Sequence, residues 1–351
     1  MKFKSLRTLF TLAIVSSLVV TGCAKEESQT ESTTAVNIEV VTEANTESEV
    51  SYPIVIKHAF GETVLESKPE RIATISWGNQ DLPLALGVVP VGVSKANYGV
   101  IDGSGLLPWT LAKFNELGVT EPVLFDDVAG LNFEAISDAK PDVILAAYSG
   151  ITQEEYDLLS EIAPVVAYPT APWQTYWRDQ IVMDATGMGM KAEGEALVKE
   201  LEQLIADKTA QYPNIKDKKA AFFYFNPADL GKFYVYLPTD PRAAYLTDLG
   251  MAFPESVSKL AEDSTSFAIE LSAENADLLS DIDVMIVYGN DALLTALQAD
   301  ALLSTVPAIQ RGAVALIEDG TPLAASGTPS ALSIPATIDE YLKIISEAAG
   351  Q

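Results

Sequence analysis

The sequence predicts an α/β fold with two Rossmann-like lobes, each with a central, mainly parallel sheet. Three observations support this prediction. Short apolar runs alternate with helical segments over residues 51–190, a second series of such runs follows over 214–351, and a single long helical stretch separates the two series. Continuous apolar runs between helices are typical of parallel strands covered on both faces. About 300 residues after the first fifty suit two lobes better than one small domain.

The N-terminal lobe, 51–190, is predicted to begin with a hairpin, because YPIVIKHAFGETVLES alternates apolar and polar residues around Gly61. The strand-like runs that follow are ERIATIS, PVGVS (90–94), PVLFD (122–126), DVILAAY (142–148) and PVVAY (164–168). Those of the C-terminal lobe, 214–351, are KAAFFYFN (219–226), KFYVYL (232–237), DVMIVYG (283–289) and AVALIED (313–319).

The stretch between the lobes predicts one linking helix over 191–213. Leu197, Leu201 and Ile205 recur at helical spacing, and Pro213 closes the segment. A helix of this length spans ~33 Å at 1.5 Å per residue. We expect it to act as a rigid strut that limits hinge motion, because a continuous helix resists the backbone rotations that a loop absorbs.

The N-terminus has the layout of an export signal. Residues 1–22 combine a basic start, an apolar run and small residues before Cys23, the only cysteine of the chain. Val20–Cys23 resembles a bacterial lipobox, in which the cysteine is acylated and the signal is cut before it. We predict a lipoprotein signal peptide (1–22), then a lipid anchor at Cys23 with a disordered acidic tether over 23–50, rich in Glu, Ser and Thr. The alternative is an ordinary signal with an incidental cysteine.

The charge of the chain restricts its partners. The formal net charge is −27, and it becomes −30 once the three basic residues of the signal are removed. Such acidity argues against nucleic acid as a partner, because phosphate backbones repel it. It favours cationic partners or serves solubility outside the cell.

The residues give no positive case for an enzyme. Nucleophilic catalysis of the Ser-His-Asp type needs a positioned imidazole, and the single histidine, His58, falls in the predicted hairpin. We expect His58 to be an ordinary edge-strand residue on the surface. GMGMKA (187–192) fits a dinucleotide-binding pattern, but no strand precedes it. The residue counts also predict neither a cysteine-based nor a multi-histidine metal site.

Several segments together resemble the substrate-binding lipoproteins of iron-siderophore ABC importers, which are related to the vitamin B12 binding proteins. The segments are HAFGETVLESKPERIATIS, LALGVVPVGV, LNFEAISDAKPDVILAAYSG (131–150) and LSIPATIDEYLKIIS. The resemblance implies two lobes joined by a helical backbone, a ligand cleft between them, and no resident cofactor. Iron would enter only as part of the bound chelate.

The candidate ligand residues are aromatic and basic side chains at predicted strand ends and in the loops after them. Open α/β lobes bind ligands beyond the carboxyl ends of their strands. Aromatic faces offer contact area to the apolar or amide rim of a ferric siderophore, and Lys or Arg balances charge. The candidates are Trp77, Lys95, Tyr98, Trp109, Tyr148, Trp173, Trp177, Arg178, Tyr224, Tyr236, Arg242 and Tyr245.

The resemblance also implies two exposed carboxylates that dock on the permease, one on each lobe. Glu134, in LNFEAI, falls at the first position, and Glu255, in LGMAFPES, matches the second with a different spacing after the Leu-Gly pair. Either glutamate has an alternative role at a helix start, where it would favour the helix dipole.

The sequence therefore predicts a monomeric, non-enzymatic receptor on the outer face of a bacterial cytoplasmic membrane. It would capture a ferric siderophore and deliver it to an ABC permease. Three alternatives remain: the same fold with a corrinoid or haem as cargo, a surface lipoprotein without a transport role, and a nitrogenase-like two-lobed enzyme. The last would need cluster cysteines, which the sequence lacks. The class of siderophore, whether catecholate, hydroxamate or citrate, is left open.

Overall fold

The computed structural model describes residues 50–127, 129–262 and 264–351. The predicted signal peptide, the anchor at Cys23 and the tether up to residue 49 lie outside the described residues. Val50–Gln351 form one compact unit. Across the ranges that the structure describes, no helix is both long and apolar enough to cross a membrane.

The first lobe contains the predicted hairpin and one sheet. The hairpin consists of β1 (Ile54–His58) and β2 (Gly61–Leu65), which pair antiparallel. The sheet strands are β3 (Ile72–Thr74), β4 (Gly92–Ser94), β5 (Leu124–Phe125), β6 (Val143–Ala146) and β7 (Val165–Ala167). The helices are α1 (Asp81–Ala85), α2 (Pro108–Glu116), α3 (Phe133–Asp138), α4 (Gln153–Ser160) and α5 (Trp177–Gly187).

This first sheet is wholly parallel, in the order β5-β4-β3-β6-β7. Its strands are short and apolar, and every residue of β3, β4, β6 and β7 is buried. Burial on both faces explains why these segments read as continuous apolar runs. The prediction of a parallel α/β lobe is confirmed here.

The second lobe contains five more strands and most of the remaining helices. The strands are β8 (Ala220–Asn226), β9 (Asp229–Tyr236), β10 (Ala268–Ser272), β11 (Val284–Tyr288) and β12 (Val314–Ile317). The helices are α7 (Pro241–Asp248), α8 (Glu255–Ala261), α9 (Asp291–Ala299), α10 (Pro307–Arg311), α11 (Pro322–Ala325) and α12 (Ser333–Ala349), with 3₁₀ turns at Ala273–Leu279 and Leu303–Thr305.

The second sheet is mixed, because one of its five strands runs against the other four. Its order is β10-β9-β8-β11-β12; β8, β11 and β12 pair parallel, and β10 runs in their direction on the far side of the reversed strand β9. β8 and β9 pair antiparallel, as do β9 and β10. Only residues 227–228 separate β8 from β9. So short a link forces a hairpin, because a parallel crossover needs a dozen or more residues.

A long helix, α6 (Lys191–Thr209), lies between the two sheets in the chain. It is 19 residues long and ends before the predicted boundary at 213, where a short turn takes over. Gly194 allows α5 and α6 to cross closely, because a β-carbon there would lie 2.4 Å from the Cβ of Ala185.

One hydrophobic cluster runs through both lobes. It includes Leu145 of the first sheet, Ile286 of the second, Ile205 of α6 and Leu342 of α12, all of them buried. The two sheets therefore share a single hydrophobic core on the side where α5, α6 and α12 lie. On that side the lobes are not separate folding units.

His58 is buried, and the expectation of a surface position is wrong. Its Nε2 lies 2.9 Å from the Oγ1 of Thr63, which in turn donates to the carbonyl of Val165. The backbone N–H of Phe60 donates to Nδ1 at 3.2 Å. Both ring nitrogens are therefore occupied in the neutral form. Burial lowers the pKa of His58 from its usual 6.5.

We predict that acid weakens the fold through His58. Below pH 6.5 His58 takes up a proton in the unfolded chain but stays neutral in the folded chain, because its pKa is lower there. The free energy of unfolding therefore falls as the pH falls. His58→Gln removes the only histidine and therefore this contribution. Urea unfolding of both proteins at pH 7.5 and 5.5 should show the wild type losing more stability than the variant. An equal loss in the two would contradict the prediction.

Candidate ligand-binding cleft

A cavity of about 640 Å³ lies between the two lobes. Its walls come from segments that follow sheet strands, since Trp77 follows β3 and Tyr148 follows β6. From the second lobe, Tyr288 ends β11 and Asp319 follows β12. The cavity is thus at the carboxyl ends of parallel strands of both sheets, where α/β lobes bind ligands.

Eight of the twelve predicted ligand residues line this cavity. Four of the eight are aromatic side chains of the first lobe, and two are tyrosines of the β8–β9 hairpin. Tyr224 pairs with Tyr234, two residues before Tyr236, so the two lining tyrosines lie on one face of that hairpin. The eight are Trp77, Lys95, Tyr98, Tyr148, Trp173, Tyr224, Tyr236 and Arg242.

The other four predicted residues are not in the cavity lining, and two of them are buried against neighbouring helices. Trp109 is buried in the first turn of α2, where its indole donates to Asp81 at 3.0 Å. Tyr245 is buried on the inner face of α7, against Tyr341. Tyr245 belongs to the core shared by both lobes, and Trp109 packs with Trp77 and Tyr98 without lining the cavity. Their prediction as ligand residues needs correction.

Trp177 and Arg178 begin α5 and also lie away from the cavity lining. The indole of Trp177 donates to Asp248 of α7 at 2.8 Å, and the guanidinium of Arg178 bonds the same carboxylate at 2.9 Å. Arg178 also pairs with Glu202 of α6 at 2.6 Å. The two residues therefore join α5, α6 and α7, which corrects their prediction as ligand residues.

Asp81 provides another connection between distant segments. Burial raises its pKa to about 6, against the hydrogen bonds from Ser330, Thr110 and Trp109 that lower it. Ser330, which precedes α12, donates to Asp81 at 2.5 Å. The C-terminal segment is thereby fixed to the first lobe, next to the cavity residue Thr328.

Three acidic residues line the cavity that sequence reasoning missed: Asp127, Glu155 and Asp319. Asp127 accepts from Ser94 at 2.5 Å, and burial raises its pKa. Asp319 accepts from the phenol of Tyr98 at 2.5 Å, a hydrogen bond that joins the lobes across the cleft. Asp127 and Asp319 each follow a strand, so their positions signalled the site although their charge is opposite to that expected for ligand residues.

The basic residues of the cavity already have acidic partners. Arg242 bonds both carboxylate oxygens of the buried Asp240, at 2.9 and 2.7 Å, and its guanidinium lies 4.1 Å from the ring centre of Tyr236. Lys95 lies 3.5 Å from Asp126. Three acidic side chains therefore outnumber two basic ones in the lining. Arg242 is held in a largely buried pair and Lys95 in a weak, exposed one, so the cavity presents aromatic faces more than free positive charge.

The model of one protein family, described as periplasmic binding protein, matches residues 72–320. This chain belongs to that family. Among solved structures, Streptococcus pneumoniae PiaA in complex with ferrichrome is 56% identical, with a TM-score of 0.82, and the match covers 85% of this chain and 99% of that one.

Two curated relatives are more distant. The probable siderophore-binding lipoprotein YfiY of Bacillus subtilis is 25% identical over 254 residues, 71% of this chain and 73% of that protein. The Fe(3+) dicitrate-binding periplasmic protein FecB of Escherichia coli is 25% identical over 284 residues, 76% of this chain and 86% of that protein. These relatives are binding proteins and not enzymes.

The two glutamates implied by family resemblance are exposed on different lobes. Glu134 lies in the first turn of α3, and Glu255 in the first turn of α8. Glu255 pairs with Lys259 at 2.8 Å, which lowers the pKa of its carboxyl. In the described part of the chain, no group of three or more His, Cys, Asp or Glu side chains is arranged to hold a metal ion.

We predict that Asp240→Asn destabilises the fold by about 3 kcal/mol, because it leaves the largely buried Arg242 charge without its counterion. The asparagine oxygen can still accept the N-cap hydrogen bond of α7. The loss of stability therefore reports on the ion pair and not on the cap. The matched control is Glu270→Gln, which breaks the exposed pair with Lys232 and should leave stability nearly unchanged. Urea unfolding measures both. Similar small effects would show that Arg242 does not need Asp240.

Proposed function

We propose that this protein is an extracytoplasmic solute-binding lipoprotein that captures a ferric siderophore in the cleft and delivers it to an ABC importer. The observation that carries the proposal is the aromatic cavity shared by both lobes of a periplasmic binding protein. Its volume of about 640 Å³ falls within the usual range for small-molecule sites.

The cavity suits the outer surface of an iron chelate. Trp77, Tyr148 and Trp173 on one lobe face Tyr224 and Tyr236 on the other. Such faces pack against the apolar and amide groups that surround the iron of a siderophore. The protein needs no metal ligand of its own for this, because the chelator already holds the iron. No resident cofactor is part of the proposal.

Within the siderophores, the charges of the cavity favour a neutral ferric hydroxamate. Ferric catecholates and ferric citrate carry several negative charges, and a site for them needs free cations. Here Arg242 is held by Asp240, and Asp127, Glu155 and Asp319 add negative charge. Ferrichrome, a trihydroxamate with a neutral iron complex, occupies the relative that is 56% identical. Both observations support the same class.

Anchoring and delivery complete the proposal. A lipid on Cys23 would hold the receptor on the outer face of the bacterial cytoplasmic membrane, with residues 23–50 as its tether. The receptor would act as a monomer and would dock on its permease through Glu134 and Glu255. Both glutamates are exposed, one on each lobe, as such docking requires.

Tryptophan fluorescence tests the cargo directly. The purified protein would be titrated with ferrichrome, a ferric catecholate, ferric dicitrate, cobalamin and haemin, each iron chelate also in its iron-free form. We expect saturable quenching at submicromolar ferrichrome and little from the anionic chelates. Quenching by cobalamin or haemin alone would identify that compound as the cargo in place of a siderophore. Quenching by none of the compounds would favour a surface lipoprotein without a transport role.

The four tryptophans provide matched controls for the same titration. Trp77→Phe and Trp173→Phe should each weaken ferrichrome binding about two- to tenfold, since a partial aromatic contact is lost in the cavity. Trp177→Phe changes a buried ring outside the cavity and should leave affinity unchanged. Trp109→Phe should have an intermediate effect, because Trp109 packs in one cluster with the cavity residues Trp77 and Tyr98. A loss with Trp177→Phe equal to those with Trp77→Phe and Trp173→Phe would place the cargo elsewhere.

Docking can be separated from binding. Glu134→Ala and Glu255→Ala should each leave ferrichrome affinity unchanged, because neither residue lines the cavity, yet reduce uptake of radioactive iron by cells that express the importer. Removing both should abolish uptake. The control is Glu193→Ala, an exposed glutamate in the first turn of α6. Normal uptake by the double variant would refute these docking positions.

A further inference from the structure

The indole of Trp173 lies directly against the backbone of Gly150. A β-carbon at Gly150 would lie 2.1 Å from Nε1 of the indole, 2.4 Å from Cε2 and 2.7 Å from Cζ2. Ordinary van der Waals contact lies between 3.4 and 4 Å. Any larger residue at 150 would therefore require the ring to move by more than about 1 Å.

The backbone gives no other reason for a glycine at this position. The φ angle of Gly150 lies outside the left-handed region, so an alanine could adopt its conformation. Gly150 follows β6 and lines the cavity, as does Trp173. Its missing side chain thus leaves space that one residue, Trp173, fills.

The loop that carries Trp173 is fixed and cannot easily move outward. The N–H of Trp173 donates to the carbonyl of Ser149 at 3.0 Å, and Thr175 donates to that of Ala147 at 2.6 Å. Trp173 itself has a φ of 60°, which is unfavourable for a bulky side chain and persists only where the surroundings impose it.

The same loop is also bonded to the other lobe. Gln174 donates to the carbonyl of Thr265 at 2.9 Å, and Tyr176 donates to that of Pro238 at 3.0 Å. Tyr148 contacts the indole edge-to-face, with ring centres 5.3 Å apart. With the backbone held on both sides, a ring displaced from Gly150 can move only on its open side, where Trp173 is 37% exposed and lines the cavity.

We propose that Gly150 is a positioning residue that fixes the Trp173 indole and so sets the width of the cleft. This inference rests on the proposed function, because it concerns the same cavity. The missing β-carbon keeps the ring against the wall and leaves room for a bulky, globular chelate such as a ferric trihydroxamate. A side chain at position 150 would push the indole into the cavity. The cavity would then accept only smaller ligands.

A double-mutant cycle with ferrichrome as the probe tests this inference. Gly150→Ala should weaken ferrichrome binding at least tenfold when Trp173 is present. In a Trp173→Ala background the same change should alter affinity less than twofold, because the displaced ring is gone. The control is Gly350→Ala, where a β-carbon would meet its nearest atom at an ordinary 3.5 Å. Equal losses in the two backgrounds would overturn the proposal.

Circular dichroism of the ligand-free protein gives a second readout that needs no cargo. Gly150→Ala should change the near-ultraviolet indole bands, and unchanged bands would overturn the proposal. If ferrichrome does not bind the wild type, the proposed function fails while this spectrum still decides the role of Gly150. If Gly150→Ala alone does not fold, folding of the double variant supports the proposal, and failure of both refutes it.

Discussion

The shared hydrophobic core is the constraint on which the rest of this structure depends. Leu145 and Ile286 belong to different sheets, yet both are part of the buried cluster that α5, α6 and α12 close. Opening the lobes widely would expose this apolar surface to water, at a free-energy cost that grows with the area exposed. Arg178 strengthens the same side, because it bonds Glu202 of α6 and Asp248 of α7 at once. The packing behind the cleft therefore opposes wide opening of the two lobes.

Much of the fold could be predicted from the sequence, because buried parallel strands leave a strong local signal. The runs around Val143–Ala146 and Val284–Tyr288 are entirely buried, and both appear as uninterrupted apolar stretches. The direction of β9 was harder to predict, since its residues fit either orientation and only the two-residue link before it decides. The burial of His58 was also missed, because it depends on Thr63 and on a carbonyl of β7 more than a hundred residues away.

The candidate site was predictable in residue type but not in direction. The aromatic residues predicted after strands at Trp77 and Tyr148 do line the cavity, since strand ends define the cleft. Trp109 and Trp177 also have prolines, aromatic or basic residues nearby in the sequence, but both lie at the start of a helix. Their indoles point away from the cavity and donate to the carboxylates of Asp81 and Asp248. Arg178 and Arg242 were equivalent in the sequence. Only the tertiary structure shows that one joins three helices and the other faces the cavity.

The pairing of Arg242 with Asp240 has a consequence for the environments in which this cleft can work. Dissolved salt weakens attraction between charges, but it has little effect on aromatic packing or on neutral hydrogen bonds. A cleft whose cations are already satisfied internally would hold a neutral cargo almost equally well in dilute and in concentrated ionic media. The strongly acidic exterior, by contrast, changes its long-range field with every change in salt. Retention of the cargo thus depends on the cleft, whereas the encounter with other macromolecules depends on the charge of the exterior.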